Sequence, residues 1–373
     1  MELVLGRLLA VVAVVAGTAS CERRHPVVVG YAFGDDHPNV LDVVRAREST
    51  GSRRPEIVDA TGMTIEQGPP GQVTMASRFA AYPGLVAVVG HGDSRGTLAA
   101  APVYDEARIP LLVPTATSRR LRTISPWVFM LAPDDSAEAA FIATFVVQTL
   151  RTRTAAVFYD NDEYGVGLRD FLRTALAARG AGVLFEAPIA EAPIGSFCDA
   201  GHQSAEASLV RAMPRDRPPG VVIIAGRTPQ AACIGRRVHE RIAQTPIIGT
   251  DAVEPDSAFV RTVGAAASHF YVVAFWYPGM AGDSSAAFTR AYERVTGAMP
   301  HPTHAMLFDA LSLVETAIRD VGGNRDAIRR YLAELGVTRP AYQGITGAIA
   351  FGSAPRPLYM LRVAPFLTLA SPQ

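Results

Sequence analysis

Lysine is absent from this sequence. All 35 basic side chains of the 373 residues are arginine. That removes Schiff-base chemistry and the phosphate-gripping lysine of a P-loop, and it fits a GC-rich coding bias rather than a mechanism. Net charge is also missing, because 35 acidic residues balance the arginines. No basic stripe interleaved with aromatics stands out, which argues against nucleic acid as a partner. Cysteine is scarce, with three in the whole chain. No spacing suggests a metal or a cofactor, and none is expected.

What is present reads as a folded chain: 49% of residues are hydrophobic and 19% charged, over a length that accommodates two domains. The opening "MELVLGRLLAVVAVVAGTASCERR" has Arg7, an apolar run from Leu8 to Ala16 and small residues up to Cys21. The run is too short to span a bilayer and reads as a secretory signal over residues 1–21. "TASC" before the charged "ERR" resembles a bacterial lipobox, which would make Cys21 a lipidated N-terminus; Thr18 stands where Leu or Val is usual. Cys198 and Cys233 remain. In an exported chain they are free to form a disulfide or to stay as two buried thiols.

From residue 27 strands and helices alternate. "VVVGYA", "PEIVDA", "LVAVV" and "IPLLV" are short apolar runs. "HPNVLDVVRARES", "GQVTMASRFAAYP" and "SRGTLAAAPVYDEAR" are helical. Such alternation implies a parallel sheet wrapped by helices. It restarts near "FMLAPDDS" with "TAAVFYD", "GVLFEAP", "GVVIIAG" and "TPIIGTD" as strands. After "HFYVVAF" come three helical stretches without strands, roughly 283–297, 303–321 and 325–335, and then two closing strands, "GITGAIAF" and "PLYMLRV". Helices without strands must cover a sheet made elsewhere. The expected lobes are therefore 26–132 with 276–345, and 133–275 with 346–373, joined by a hinge that the chain crosses more than once.

The lobes echo each other. "VAVVGHGDS" is followed by "IPLLVPTATS", with 21 positions from Ser94 to Thr115. "VVIIAGRTP" is followed by "TPIIGTDA", with 22 positions from Thr228 to Thr250. Loops of this kind lie at the carboxyl ends of strands, where open α/β sheets bind ligands. "GHGDSRG" is one residue too long for a dinucleotide fingerprint, and the next strand brings no acid for a ribose. "GDS" with "DAGH" resembles an SGNH-type esterase, with Ser94 as nucleophile and Asp199 and His202 as its partners, but both motifs sit in the wrong part of the chain for that family. Plain binding is the third reading. Ser94 and the hydroxyls of "TATS" would hold a carboxylate, and Asp251 would face an ammonium across the cleft. Each residue also has a local role open to it: Ser94 and Asp251 as helix caps, the threonines as turn residues.

The segments "GHGDS…PVYDEARIPLLVPTATSRRL", "VFMLAPDDSAEAAFIATFVV", "AAVFYDNDEYGVGLRDFLRTAL", "PIIGTDAV" and "HAMLFDALSLVETAI" resemble the leucine/isoleucine/valine-binding protein family, the type I solute receptors of ABC importers, over residues 26 to about 363. The resemblance implies an α/β fold of two Rossmann-like lobes with parallel sheets, three hinge crossings and closure on a ligand. It implies carboxylate-binding hydroxyls at Ser94 and Thr117, backbone groups from Thr115, a cleft-facing Tyr164 and an ammonium partner in Asp251, with Asp135 at the first crossing. The short first helix region bears on the pocket near Tyr31 and Phe33. Arg227 stands where the family often has an aromatic, which favours a ligand with a second acceptor group unless Arg227 pairs with Asp162 or Glu163. The implied protein is no enzyme. It is an extracytoplasmic, lipid-anchored monomer in the periplasm or at the cell surface. It takes an amino acid or similar small ligand to an ABC permease, or acts as a sensor of the same fold on a membrane kinase.

Overall fold

Valine-, isoleucine- and leucine-rich runs fold as two sheets, each covered by helices on both faces. The computed structural model describes residues 26–33, 41, 55–60, 68–189, 200–280, 282–352, 356–364 and 367–370. The signal segment with Cys21, the first expected helix apart from Leu41, Cys198, Asp199 and the His202 side chain lie outside the described residues.

The first sheet holds β1 (Val28–Tyr31), β2 (Glu56–Asp59), β3 (Leu85–Val89), β4 (Leu111–Val113) and β5 (Val128–Met130), all parallel, in the order β2-β1-β3-β4-β5. The second holds β6 (Thr154–Asp160), β7 (Gly182–Ile189), β8 (Val221–Ala225), β9 (Ile247–Gly249) and β10 (Phe270–Ala274), parallel in the order β7-β6-β8-β9-β10. The two orders match strand for strand, so the echo between the halves is an echo of topology. Each reverses direction between its first and third strands, at β1/β3 and β6/β8, where such sheets open a crevice at their carboxyl ends.

Period-two side chains explain why both faces are dry. In the first sheet Val28, Leu85, Val88 and Leu111 pack against Phe79, Ala100 and Tyr104 of the helices Gly68–Ala80 and Ser94–Glu106. Val29, Tyr31, Val89 and Leu112 face the other way, onto Phe288, Leu307, Leu311 and Ile328. Those residues belong to the helices Asp283–Thr296, Pro302–Val321 and Arg325–Glu334, which bring no strand of their own to this sheet. The second sheet does the same. Val157, Val221 and Ile223 meet Ile142, Leu168 and Leu172 of the helices Asp135–Thr144 and Glu163–Ala177. Phe158, Val222 and Ile224 meet Ala231, Ile234 and Phe259 of the helices Thr228–Arg241 and Ser257–Val263. Cys233, on the first of those two, is disulfide-bonded to a partner outside the described residues.

The chain passes between the lobes after β5, after β10 and before β13 (Tyr359–Arg362), which joins the second sheet antiparallel to β10 and carries β14 (Thr368–Leu369) at its edge. Ahead of the third passage, β11 (Tyr342–Gly344) and β12 (Gly347–Ile349) form a separate hairpin rather than strands of a large sheet. Ile345 and Ile349 pack in the first lobe's core, so the expected boundary at 345 falls inside this hairpin and the passage comes after it.

Asp309 and Arg356 fasten the passages together. Asp309, buried in the helix Pro302–Val321, accepts the Ile345 N–H at 2.8 Å, the Thr346 N–H at 2.9 Å and the Thr346 hydroxyl. Arg356 donates to the Thr346 carbonyl at 3.3 Å, to the Thr346 hydroxyl oxygen and to the Leu131 carbonyl just past β5. One guanidinium thus ties the first passage to the third. Arg356→Leu leaves those carbonyls without a donor and should lower stability by about 1–3 kcal/mol. An unchanged urea midpoint would show that the staple contributes nothing.

Candidate functional site

Each lobe delivers its chemistry from the turns that follow its central strands. After β3 the chain runs Gly90-His91-Gly92-Asp93-Ser94. Asp93 caps the helix Ser94–Glu106, its carboxylate accepting the Gly96 N–H at 2.8 Å. Ser94 is therefore not the cap. Its buried Oγ accepts the N–H groups of Thr117 and Ser118 at 3.3 and 3.1 Å, which ties the turn after β4 to this helix. A hydroxyl has two acceptor positions and one proton. With both acceptors occupied, Ser94 is left with a proton to donate. Thr115 donates its own hydroxyl to the Gly92 carbonyl at 3.1 Å, so it has its backbone and an acceptor oxygen but no hydroxyl proton for a ligand.

Thr117 is buried, and its carbonyl accepts the Asp135 N–H at 2.9 Å. Asp135 begins the helix Asp135–Thr144, which Asp134 caps. Burial pushes the Asp135 carboxyl up from 3.8 to about 8, and the charges of Asp251, Asp134 and Glu163 add to the shift against the Thr117 hydrogen bond. At neutral pH the group is mostly protonated.

The second lobe is built on the same plan. Asp162 caps the helix Glu163–Ala177 through the Gly165 N–H at 3.0 Å. A Cβ on Gly165 would lie 2.1 Å from the Asp160 carbonyl, so only glycine lets this helix start against the end of β6. That placement points Tyr164 inward. Its O–H donates to Asp251 Oδ1 at 2.5 Å, and its oxygen lies 2.7 Å from Thr250 Oγ1. Asp251 follows β9. The cap of the next helix is Asp256, so Asp251 is not held there as a cap. Its N–H donates to Glu138 Oε1 at 2.9 Å. Burial raises the Asp251 carboxyl while hydrogen bonds from Glu138 and Tyr164 oppose the rise.

Arg227 follows β8 and is turned toward its own lobe. It donates to Asp160 through Nη1 and to Asp162 through Nη2, the latter at 2.9 Å. Those two carboxylates keep it charged against the cost of its burial. Its fork is already matched to protein carboxylates, which removes the basis for expecting a second acceptor group on the ligand. Glu163 pairs elsewhere, across the cleft.

Ser94, Thr115, Thr117, Tyr164, Arg227 and Asp251 all line one cavity of about 290 Å³ between the lobes. Sequence reasoning missed its apolar wall, where Phe275 from the second passage and Pro302 from the helix start meet Ala116 and Pro229. It also missed Glu138, whose signal was an acid inside the apolar run "AEAAFIATFVV". The lobes touch on both flanks of the cavity. Ser118 and Arg120 donate to Glu163 at 3.3 and 3.1 Å on one side, and the Thr303 N–H donates to Glu254 at 2.8 Å on the other.

A family described as "Periplasmic binding protein" matches residues 66–365, most of the chain and both lobes. The chain belongs to that family. An amino acid binding protein of Pseudomonas aeruginosa is 29% identical over 187 residues, 49% of this chain and 46% of the relative. The match thus spans less than half the length of that curated relative. Solved periplasmic binding proteins share the fold along nearly the whole chain. A branched-chain amino acid transporter substrate binding protein, LivJ of Streptococcus pneumoniae, solved with isoleucine, superposes with a TM-score of 0.74 at 19% identity, covering 92% of this chain and 100% of its own. A solute binding protein of an ABC transporter from R. palustris, solved with benzoate, gives 0.73 at 14% identity, covering 92% and 94%. Two lobes with parallel sheets, expected from the motifs, are the architecture observed. Among the described residues no helix is long and apolar enough to cross a membrane.

The Asp135 shift has a measurable consequence. The folded carboxyl holds its proton more tightly than the unfolded one, so stability falls as pH rises from 3.8 to about 8. The slope approaches about 1.4 kcal/mol per pH unit. Asp135→Asn cannot ionise. Urea denaturation at several pH values should show the variant gaining on the wild type as pH rises through that window, with no gain at its acid end. Parallel pH profiles would show that Asp135 titrates normally.

Proposed function

We propose that this periplasmic binding protein captures an α-amino acid with a small apolar side chain between its lobes and delivers it to the permease of an ABC importer. The observation that carries the reading is the opposed chemistry of the two cavity walls. The first lobe lines the cavity with Asp93, whose Oδ1 caps its helix, and offers two neutral hydroxyls, Ser94 and Thr117. Both lie beside a helix N-terminus that favours a carboxylate. The second lobe offers Asp251, an acid opened to the cavity and suited to an ammonium. An amino acid has both groups, and benzoate has only the first.

Part of the remaining wall supports the choice of side chain, although Asp93, Thr228, Glu254 and Thr303 also line it. Phe275, Pro302, Pro229 and Ala116 are apolar, and the Arg227 charge is taken by Asp160 and Asp162. A cavity of about 290 Å³ lies at the lower limit of small-molecule sites. Leucine, isoleucine and valine fit this description better than aspartate or glutamate. The flanking contacts of Glu163 and Glu254 support capture by lobe closure.

The same proposal covers the whole protein. It is exported by residues 1–21, anchored to the membrane by lipid on Cys21, and works as a monomer in the periplasm or at the cell surface. It binds without catalysing a reaction. Its lobes follow the expected division, 26–132 with 276–345 and 133–275 with 346–373, except that the last boundary moves past Ile349 so that the hairpin β11–β12 belongs to the first.

A thermal-shift panel tests the ligand class, using leucine, isoleucine, aspartate, benzoate and 4-methylpentanoate, which is leucine without its amino group. Leucine or isoleucine should raise the melting temperature most. A ligand at a hundred times its Kd adds about 2.7 kcal/mol. Asp251→Asn should weaken amino-acid binding by about 2–5 kcal/mol in calorimetry and leave benzoate unaffected. Equal binding of 4-methylpentanoate and leucine would sink the ammonium site.

A further inference from the structure

Glu138 lies behind the cavity rather than on it. The helix Asp135–Thr144 carries it among Ala139, Ile142 and Ala143, and it is 1% exposed. Oε1 accepts the Asp251 backbone N–H at 2.9 Å. That bond sets the two carboxyls close together in the interior, where burial and the Asp251 charge push the Glu138 carboxyl well above the usual carboxylate range. Two ionised carboxylates are acceptors only and repel, so a bond between the side chains requires one proton on the pair.

The surroundings decide which residue holds it. Glu138 Oε2 is buried with no donor, so an ionised Glu138 would leave an uncompensated charge in the interior. Asp251 receives the Tyr164 O–H at 2.5 Å and opens to the cleft, and both favour its charged form. The other groups bearing on the pair are Tyr164 from the helix Glu163–Ala177, Asp135 on the same helix as Glu138, and Glu254 past Asp251. The nearby cations are engaged elsewhere: Arg122 with Asp134, Arg120 with Glu163, and Arg227 with Asp160 and Asp162. Among the described residues no cation forms an ion pair with Glu138, Asp135 or Asp251.

We propose that Glu138 is the positioning residue of the ammonium site. It keeps a proton, donates it to the Asp251 carboxylate and holds the Asp251 backbone, so that Asp251 presents one negative charge to the ligand. This rests on the amino-acid reading of the cleft. The charges then match one to one: an ammonium docks on Asp251 and no proton leaves the pair. Without the Glu138 proton, two carboxylates would repel each other behind the ligand.

Two measurements test it. Carboxyl ¹³C NMR of the ligand-free protein should show one protonated glutamate side chain at neutral pH. The signal should vanish in Glu138→Gln, and Asp251 should be ionised in both proteins. Finding Glu138 ionised, or Asp251 protonated in its place, would overturn the proposal. Calorimetry with L-leucine and L-isoleucine supplies the second. Glu138→Gln provides an N–H donor and a carbonyl acceptor of the same shape, and should bind within about threefold of the wild type. Glu138→Ala provides neither and should bind about tenfold or more weaker, the loss expected for a hydrogen bond to a charged group. A tenfold loss in Glu138→Gln, or full affinity in a folded Glu138→Ala, would also overturn it. If Glu138→Ala does not fold, the isosteric Gln variant and the spectra still decide. If neither amino acid binds the wild type, the amino-acid reading fails, and the spectra still report where the proton lies.

Discussion

A parallel sheet covered on both faces can meet a ligand only at the ends of its strands. That constraint organises the molecule. Val28, Leu85 and Leu111 are sealed by one pair of helices and Val29, Tyr31 and Leu112 by another group, so neither face of the first sheet is open to a ligand. The carboxyl ends remain, and the helices that start there present free N–H groups to whatever lies beyond. Two such sheets with the same strand order place their switch points opposite each other, and the cavity is the space between.

The polarity of that space follows from which groups each turn has already used. Ser94 is a donor because two backbone N–H groups fill its acceptor positions. The Thr115 proton is taken up by its bond to the Gly92 carbonyl. Arg227 stands at the cavity but is matched by the two carboxylates at the end of β6. What is left to act across the cleft is a small set: neutral hydroxyls on one side and Asp251 on the other, with Asp93 and Glu254 at the wall already bonded to backbone N–H groups. Behind each end of this set stands a buried acid, Asp135 beneath Thr117 and Glu138 beneath Asp251. In so little solvent, carboxyls close together favour protonated forms over adjacent charges. At the second of these, the Glu138 proton serves as the donor that holds the Asp251 carboxylate.

The lobes are held by contacts of two kinds. At the passages, Arg356 links Leu131 to Thr346 and Asp309 carries Thr346, a tight polar knot at the pivot. At the flanks, Glu163 and Glu254 meet Arg120, Ser118 and Thr303. These are partly exposed and individually weak. A firm pivot with weak contacts farther out is the arrangement a closing cleft needs.

The alternation of apolar runs, their restart near residue 129 and the strandless helices after 276 were legible in the sequence, because burial on both faces imposes continuous hydrophobic strands and helical periodicity. The echo of "VVGHGDS" in "IIAGRTP" located the turns, because glycine and small polar residues mark where helices start close against strand ends. The echo therefore pointed to Ser94 and Asp251, and the family resemblance added Tyr164; all three line one cavity. What those residues do there depended on the tertiary structure. Asp93 rather than Ser94 is the cap, Arg227 is engaged by Asp160 and Asp162, and Glu138 reaches Asp251 from 113 residues away in sequence. A side chain's free donors and acceptors are what remains after its neighbours are satisfied. For residues far apart in the chain, those neighbours are chosen only when the two lobes pack.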